Sequence, residues 1–249
     1  MRKLGWTRRL IAVLFPERCA CCGKVVRVGE GCCPSCRREL SIIGTPVCPF
    51  CGLERPHCRC RQRRAHYERV IAPFYYEGAA RNGILRLKRC GRAYVADFFA
   101  DAMAEKAAEQ YDDVVFTAVT YVPMTAAAEA ARGHNQSEQL ARALGRRLGL
   151  PVVTLLDKLI ETVPQKELPA DLRGGNVLGV FDPRRDPLLQ GGTILLVDDI
   201  VTTGSTLNEC AKMLKIGGAD AVYALAATAA LPESDKKQDI LHSSIQNGG

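Results

Sequence analysis

Two adjacent carboxylates, Asp198 and Asp199, stand between an apolar run and a short segment rich in hydroxyl groups. The apolar run at 193–197 predicts a buried strand, and the residues from Thr206 to Ile216 predict a helix. Open parallel sheets bind ligands at the carboxyl ends of their strands, and a helix N-terminus offers free backbone N–H groups to a phosphate. The pattern therefore predicts a site for a phosphorylated sugar.

The segment between strand and helix supplies suitable ligand groups. These candidates are Thr202, Thr203, Gly204, Ser205 and Thr206. The hydroxyls can donate hydrogen bonds, the glycine permits close backbone approach, and the two carboxylates can accept hydrogen bonds from a ribose diol. Taken singly, the acids are typical of a solvated turn and the threonines of a helix cap. The whole string, residues 194–206, favours a ligand site.

Ten of the twelve cysteines fall between Cys19 and Cys60, which marks a local site. They form four close pairs: Cys19 with Cys22, Cys33 with Cys36, Cys48 with Cys51, and Cys58 with Cys60. Four thiolates make a closed tetrahedral zinc site, so the first two pairs predict one zinc ion and the last two pairs a second. We expect a structural role, because a short segment with few apolar residues folds only with such support.

Two ligand choices stay open at this point. Cys21 and Cys32 are left over, and the Cys-x-x-Cys-Gly spacing favours Cys22 over Cys21. Cys58 and Cys60 are one residue closer than the other pairs, so His57 is an alternative ligand. A disulfide-rich segment is the other interpretation of so many cysteines, and the absence of a secretory signal argues against it.

The N-terminal residues 2–15 predict a basic amphipathic helix, since the apolar run at 10–15 is too short for a signal peptide. No apolar stretch approaches the roughly 20 residues that a membrane span needs. We therefore expect a cytoplasmic protein in which the cysteines stay reduced.

The net charge of +7 is concentrated in the N-terminal part. Residues 1–69 contain 15 Lys or Arg against 5 Asp or Glu, whereas the rest contains 19 against 22. This concentration of positive charge favours a polyanionic partner, although a solvated basic surface without a partner is equally compatible with it. We predict a basic helix and double zinc-binding module over 1–69, an α/β domain over 70–230 and a disordered tail over 231–249.

The α/β domain is predicted from alternating strand and helix patterns. Beyond a short strand candidate at 70–78, strands are predicted at 114–122, 152–155, 193–197 and 221–228, and helices at 79–88, 93–109, 137–148 and 206–216. Such alternation indicates a mostly parallel sheet with helices on both faces.

Residues 194–206 closely resemble the motif that binds 5-phosphoribosyl-1-pyrophosphate (PRPP) in type I phosphoribosyltransferases. Three further strings narrow the resemblance to the ComF family, which joins a double zinc ribbon to such a domain and is associated with bacterial competence. They are Leu87 and Lys88 followed by Gly91, Val122 and Pro123 followed by 132–136, and the segment 165–181. The resemblance extends to about residue 230 and implies the type I phosphoribosyltransferase fold.

The resemblance also implies ligands and roles. PRPP would bind with magnesium, and Lys88 and Arg132 would bring positive charge to its pyrophosphate. The segment 165–181 would form a hood over the acceptor side. Its family pattern matches Gln165, Leu168, Arg173, Asn176 and Phe181. The chain departs from the family at Arg89 and His134, and we interpret the histidine as a hydrogen-bonded structural residue.

The function implied is a PRPP-binding, phosphoribosyltransferase-like protein that serves DNA uptake in natural transformation. If it is an enzyme, Asp198, Asp199, Lys88 and Arg132 form its catalytic set, which acts by positioning and charge stabilisation. The alternatives are a non-catalytic, nucleotide-sensing adaptor that binds single-stranded DNA, and a phosphoribosyltransferase of nucleotide salvage. Other competence proteins are further expected partners.

Overall fold

The computed structural model of the chain describes residues 16–60, 64–160 and 180–232. The predicted helix at 2–15, the hood residues Gln165, Leu168, Arg173 and Asn176, and the tail beyond residue 232 lie outside the described residues.

The described residues form an α/β fold around one main sheet. The strands are β1 (Val70–Ile71), β2 (Phe74–Tyr75), β3 (Ala118–Tyr121), β4 (Leu156–Lys158), β5 (Phe181–Pro183), β6 (Thr193–Val201) and β7 (Ala221–Ala229). The helices are α1 (Pro34–Arg38), α2 (Gly78–Cys90), α3 (Ala93–Gln110), α4 (Ala126–Arg132), α5 (Gln136–Leu148) and α6 (Ser205–Ile216).

The main sheet is five-stranded and parallel throughout. β1 and β2 lie one after the other along β7, which is followed by β6 and then β3. β4 and β5 form a separate antiparallel pair. β6 is central and almost wholly buried, which explains its unbroken apolar character before the two acids.

Alternate side chains of β6 enter two different layers of the core. Ile194 and Leu196 pack with α6, whereas Leu195 and Val197 pack with α2, α3 and α5. Helices therefore cover both faces of the sheet, which confirms the predicted fold class.

The strands differ in extent from the prediction. β6 continues to Val201 because β7 also continues and pairs with it to the end, with Val201 opposite Ala229. β3 ends at Tyr121, opposite Val197, so Asp198 and Asp199 lie inside β6 but beyond the end of β3. Among the described residues, no strand therefore pairs with β6 on the β3 side at the two acids.

The predicted strand at 152–155 was wrong in position. Val152 makes only an isolated bridge to Val119 of β3, and the strand β4 begins at Leu156, where the chain pairs with β5 instead. The apolar run is explained by burial, since Leu155 is fully buried beside the main sheet without continuing it.

The cysteine-rich segment packs directly on the sheet domain. Ile43 N donates to Pro73 O at 2.9 Å, and Val70 N donates to Pro49 O at the same distance. The side chain of Lys106 on α3, almost fully buried, donates to Ile43 O at 2.9 Å. The segment therefore gains stability from the main core as well as from its own cysteines.

Candidate functional site

The two adjacent acids have different partners. Asp198 Oδ1 accepts hydrogen bonds from Ser137 Oγ at 2.9 Å and from the backbone N–H of Asp199 at 2.8 Å. Ser137 lies in the first turn of α5, and the N-cap of that helix, Asn135, donates its Nδ2 to Val122 O at 3.1 Å. The start of α5 thus joins the end of β3 to the acid pair on β6.

Asp198 is buried, and burial raises the pKa of its carboxyl to about 7, with the neighbouring charge of Asp199 acting in the same direction. The hydrogen bonds from Ser137 and from the backbone of Asp199 oppose this shift. The Asp198 carboxyl therefore keeps its proton to a higher pH than an exposed aspartate does.

Asp199 is also buried, but its carboxylate faces a cation. Its Oδ2 lies 2.7 Å from Lys88 Nζ, in an ion pair whose angles do not make a hydrogen bond. Lys88 stands in the last turn of α2, and its side chain is 30% exposed. The structure thus brings together the predicted residues Asp198, Asp199 and Lys88.

The end of α2 is held in place by His134. The Nε2 atom of His134 lies 3.0 Å from Leu87 O, one residue before the lysine. Gly91 ends the helix with a φ of 53°, and a Cβ atom there would lie 2.9 Å from the imidazole ring. The structural interpretation of His134 therefore agrees with its surroundings, and the histidine supports the position of Lys88.

The loop after β6 is exposed and its helix start has no side-chain cap. The hydroxyl residues Thr202, Thr203, Ser205 and Thr206 are exposed, and Gly204 is the N-cap of α6 with a φ of 77°. Thr203 Oγ1 lies 2.8 Å from Ser205 Oγ and accepts from Ser205 N at 3.3 Å. Backbone N–H groups and hydroxyls therefore meet at one solvent-facing point, which suits an anion.

Arg132 is not brought to the acid pair. It ends α4 with an exposed side chain, and its Nη1 contacts Met124 Sδ at 3.9 Å. Helix α4 was not predicted from the sequence, although Thr125 followed by an alanine-rich run is a usable signal for it. The Thr125 side chain caps the helix by accepting from Ala128 N at 3.2 Å.

Of the predicted hood, Phe181 falls among the described residues. It lies in β5 opposite Lys158 of β4, is buried, and packs into the main core. Lys158 Nζ stands 6.0 Å from the centre of its ring.

Four cysteines converge at the first predicted zinc site, and their geometry suits the ion. The Sγ atoms of Cys19, Cys22, Cys33 and Cys36 all lie within 4.8 Å of one another. A tetrahedral ion with zinc–sulfur bonds of about 2.3 Å would place the sulfurs about 3.8 Å apart. The Sγ atoms of Cys22 and Cys33 are 3.7 Å apart, which fits that spacing.

The second cluster consists of Cys48, Cys51, Cys58 and Cys60, again within 4.8 Å of one another. The Sγ atoms of Cys48 and Cys60 are 4.0 Å apart. Both members of the close pair therefore reach the cluster, while the ring of His57 lies edge-on to Tyr75 with the centroids 5.6 Å apart.

The leftover cysteines lie beside the first cluster. Cys21 Sγ and Cys32 Sγ are 3.9 Å apart, and Cys32 Sγ is 4.0 Å from Cys19 Sγ. Both are almost fully buried, and burial raises the pKa of both thiols. They therefore pack as small apolar groups at the side of the four-thiol site.

Comparison with known proteins matches both parts of the chain. Residues 10–67 match the double zinc ribbon domain family, and residues 99–247 match the phosphoribosyl transferase domain family. The DNA utilization protein YhgH of Escherichia coli O6:H1 is 30% identical over 224 residues, which cover 83% of this chain and 94% of that protein.

Two competence proteins are also similar. Competence protein ComFC of Bacillus subtilis is 26% identical over 201 residues, or 76% of this chain and 80% of the relative. Competence protein F of Haemophilus influenzae is 26% identical over 222 residues, which cover 84% of this chain and 95% of that protein.

Fold, site and family matches define a phosphoribosyltransferase-type domain preceded by a double zinc ribbon. The two cysteine clusters accordingly indicate structural zinc in the N-terminal segment. Within this class, the chain belongs to the ComF family of competence and DNA utilization proteins. No helix in the part of the chain that the structure describes is long and apolar enough to cross a bilayer.

Proposed function

We propose that the chain binds PRPP together with Mg²⁺ beyond the end of β3, and that this site serves DNA uptake. The observation that carries the proposal is the adjacency of three groups: the carboxylate of Asp199, the cation of Lys88 and the uncapped start of α6. A sugar with a phosphate at one end and a pyrophosphate at the other needs these chemistries side by side.

The start of α6 would hold the 5-phosphate. Its free N–H groups and the hydroxyls of Thr203 and Ser205 can donate to phosphate oxygens, and the helix dipole favours negative charge there. Gly204 brings the backbone close, because it has no side chain to keep a ligand away.

Asp199 would accept the ribose hydroxyls. In the ion pair, Lys88 compensates the buried carboxylate, whose Oδ2 still lacks a well-aligned hydrogen bond. A pyrophosphate offers the lysine a stronger anionic partner, and its partly exposed side chain is able to turn toward it. The carboxylate oxygen would then be free for a sugar hydroxyl.

Asp198 would act differently, because its Oδ1 is already used by Ser137 and by the backbone of Asp199. We assign it to the alignment of the site rather than to a direct contact with the sugar.

Magnesium suits this arrangement, because it prefers oxygen ligands and Asp199 presents a buried carboxylate oxygen. When bound, the ion would neutralise charge on the pyrophosphate. In a transfer reaction the bond from C1 of the ribose to pyrophosphate breaks, and a bond from C1 to the acceptor's nucleophile forms. The protein residues would contribute position and charge, since the transfer itself needs no nucleophilic side chain.

The role in DNA uptake is supported by the relatives, two of which are named competence proteins and one a DNA utilization protein. It is also supported by charge, since residues 1–69 carry 15 basic against 5 acidic residues. The described part of this segment exposes Arg18, Lys24, Arg27, Arg37, Arg38, Arg55, Arg59 and Arg64. This surface favours the DNA-binding adaptor as the second candidate function.

Calorimetric titration with PRPP and Mg²⁺ tests the binding proposal. We expect Asp199→Asn to lose about tenfold to a hundredfold in affinity, because a charged acceptor of the ribose hydroxyls is removed. Asp198→Asn should lose less, and circular dichroism should show both variants folded. Equal affinity of Asp199→Asn and the unaltered protein would refute the proposed site.

Release of pyrophosphate from PRPP separates the enzyme from the adaptor. The protein should be assayed with nucleobases, nucleotides and single-stranded DNA as acceptors. Turnover with any of them that disappears in Asp199→Asn would favour a transferase. PRPP binding without turnover would favour the adaptor.

A further inference from the structure

One tyrosine lies between the second cysteine cluster and the loop that starts α6. Tyr67 is 4% exposed, and its hydroxyl donates to Phe50 O at 2.7 Å. Phe50 stands between Cys48 and Cys51, two members of the cluster. A metal bound by these thiolates on both sides would therefore fix the position of the carbonyl that accepts from Tyr67.

The other side of the tyrosine hydroxyl touches the loop. A Cβ atom on Gly204 would lie 2.6 Å from Tyr67 Oη and 3.6 Å from Phe50 O. The backbone of Gly204, which adopts a φ of 77°, is thus pressed against the hydroxyl and the carbonyl together. A shift of either group would open space under the glycine and allow the loop to change conformation.

A second contact reinforces the first. His66 N donates to Asn208 Oδ1 at 2.7 Å, and Asn208 N donates to Gly204 O at 2.8 Å in the first turn of α6. The two successive residues 66 and 67 therefore contact both ends of the turn that presents the loop's N–H groups. Tyr67 also shares a buried core with Cys51 and Leu207.

The first cysteine cluster is placed differently. It packs against Ala79 of α2 and against Phe98 of α3. None of the described contacts joins it to residues 202–206. Any effect on the loop should therefore come from the second cluster.

We propose that the second cysteine cluster, with zinc bound, holds the loop of residues 202–206 in its anion-binding conformation through Tyr67. Tyr67 is a positioning residue, since it acts on the ligand through Gly204. With respect to PRPP as ligand, this inference rests on the proposed function. Coupling between two sites is reciprocal, so PRPP should in turn retain zinc in the second cluster.

Tyr67→Phe tests the contact because it removes the hydroxyl and keeps the buried ring. We expect faster hydrogen exchange of the amides of 202–206 and about fivefold weaker binding of PRPP with Mg²⁺, the effect of one lost buried hydrogen bond. The experiment uses the zinc-loaded full chain, with zinc content measured to show that both clusters remain filled.

Tyr111→Phe is the matched control. Tyr111 is as buried as Tyr67, and its hydroxyl donates to Ala224 O at 2.7 Å, with Arg69 O as a second acceptor at 3.1 Å. Its loss should lower stability by a similar amount but leave exchange at 202–206 and PRPP affinity unchanged.

Zinc release gives a readout that a merely structural residue would not change. A chromophoric chelator should remove zinc in two phases, and PRPP should slow the phase of the second cluster in the unaltered protein. Cys19→Ser, which weakens the first cluster, identifies the phases. In Tyr67→Phe the slowing by PRPP should be lost.

Two negative results have separate meanings. If Tyr67→Phe and Tyr111→Phe exchange equally at 202–206, Tyr67 does not hold the loop and this inference is wrong, whether or not PRPP binds. If the unaltered protein fails to bind PRPP, the proposed function is wrong, and the exchange comparison still decides the structural coupling.

Discussion

At the scale of single residues, Asp198 and Asp199 show how surroundings separate two neighbouring carboxylates. Asp198 is held by Ser137 and has a pKa raised to about 7, whereas Asp199 is paired with Lys88. The two carboxylates look alike in the sequence. The hydrogen bond from Ser137, 61 residues away, distinguishes them here.

The raised pKa of Asp198 predicts a pH-dependent stability. The folded-state pKa is about 7, and an aspartate in the unfolded chain has a pKa of about 4. Between these values the folded protein binds more protons than the unfolded chain, so stability should fall as pH rises from about 4 to about 7. Asp198→Asn should remove this contribution, as urea denaturation across that pH range will measure.

The relevant quantity is the difference in unfolding free energy between Asp198→Asn and the unaltered protein. That difference removes effects of pH on the cysteine clusters, which both proteins share. The variant should become more stable relative to the unaltered protein as the pH rises toward 7. A difference independent of pH would show that burial does not raise the pKa of the Asp198 carboxyl.

At the scale of elements, unequal strand lengths shape the candidate site. β6 and β7 run together to Val201 and Ala229, while β3 ends opposite Val197. The two acids on β6 consequently lie where the main sheet, as far as the structure describes it, has no strand on the β3 side. The first turn of α5 reaches the acid pair through Ser137, while α6 begins shortly after the end of β6 with Gly204 as its N-cap.

The loop geometry predicts a large penalty at Gly204 and a smaller one at Gly149. Both glycines have positive φ, 77° and 68°, so alanine at either should cost about 1 to 2 kcal/mol of stability. An added Cβ at Gly149 meets nothing within 4 Å, whereas at Gly204 it meets the Tyr67 hydroxyl at 2.6 Å. Gly204→Ala should therefore be the less stable variant and should bind PRPP more weakly.

Urea denaturation and calorimetry measure these two effects. Combining Gly204→Ala with Tyr67→Phe should recover part of the lost stability, because the clashing oxygen is removed while the backbone strain remains. Equal stability of Gly204→Ala and Gly149→Ala would contradict the close contact.

At the scale of the whole molecule, the zinc ribbon is part of the same packed body as the transferase-type domain. Ile43, Cys51 and Leu53 are buried in one core with residues of β6, β7 and α6. The predicted boundary at residue 69 therefore marks a change in the composition of the sequence, whereas the packing of buried side chains continues across it. The basic surface of the ribbon and the candidate site on the sheet therefore lie on one continuously packed body.

The charge distribution predicts where single-stranded DNA binds. Removing two exposed cations with Arg37→Gln and Arg38→Gln should weaken binding and lower the slope of log affinity against log salt by up to about 1.4. Fluorescence anisotropy with a labelled oligonucleotide at several salt concentrations measures both quantities. The control variant, Arg184→Gln with Arg185→Gln, removes the same charge from the sheet domain. It should change neither the affinity for DNA nor the salt slope appreciably. Equal effects of the two pairs would argue against the ribbon as the DNA-binding surface.

Much of this protein was predictable because its strongest signals are local. Strand β6, its loop and α6 form one continuous segment of the chain. Its apolar residues, acids, hydroxyls and glycine therefore predict a strand, a loop and a helix in that order without reference to any other segment. The Cys-x-x-Cys pairs are local for the same reason, since two thiolates separated by two residues can reach one ion. The PRPP-type motif and the zinc ribbons could be predicted from these segments, the fold class from the alternation of strand and helix patterns, and the family from three further short strings.

The tertiary structure alone decided which of the predicted residues meet. Lys88 reaches Asp199, Arg132 remains exposed at the end of α4, and both Cys58 and Cys60 enter the second cluster. Tyr67 had no distinguishing sequence pattern, because its importance comes from Phe50 and Gly204, which are distant in the chain. Such contacts depend on how far strands extend and how helices pack, and these are properties of the assembled core that no short segment encodes.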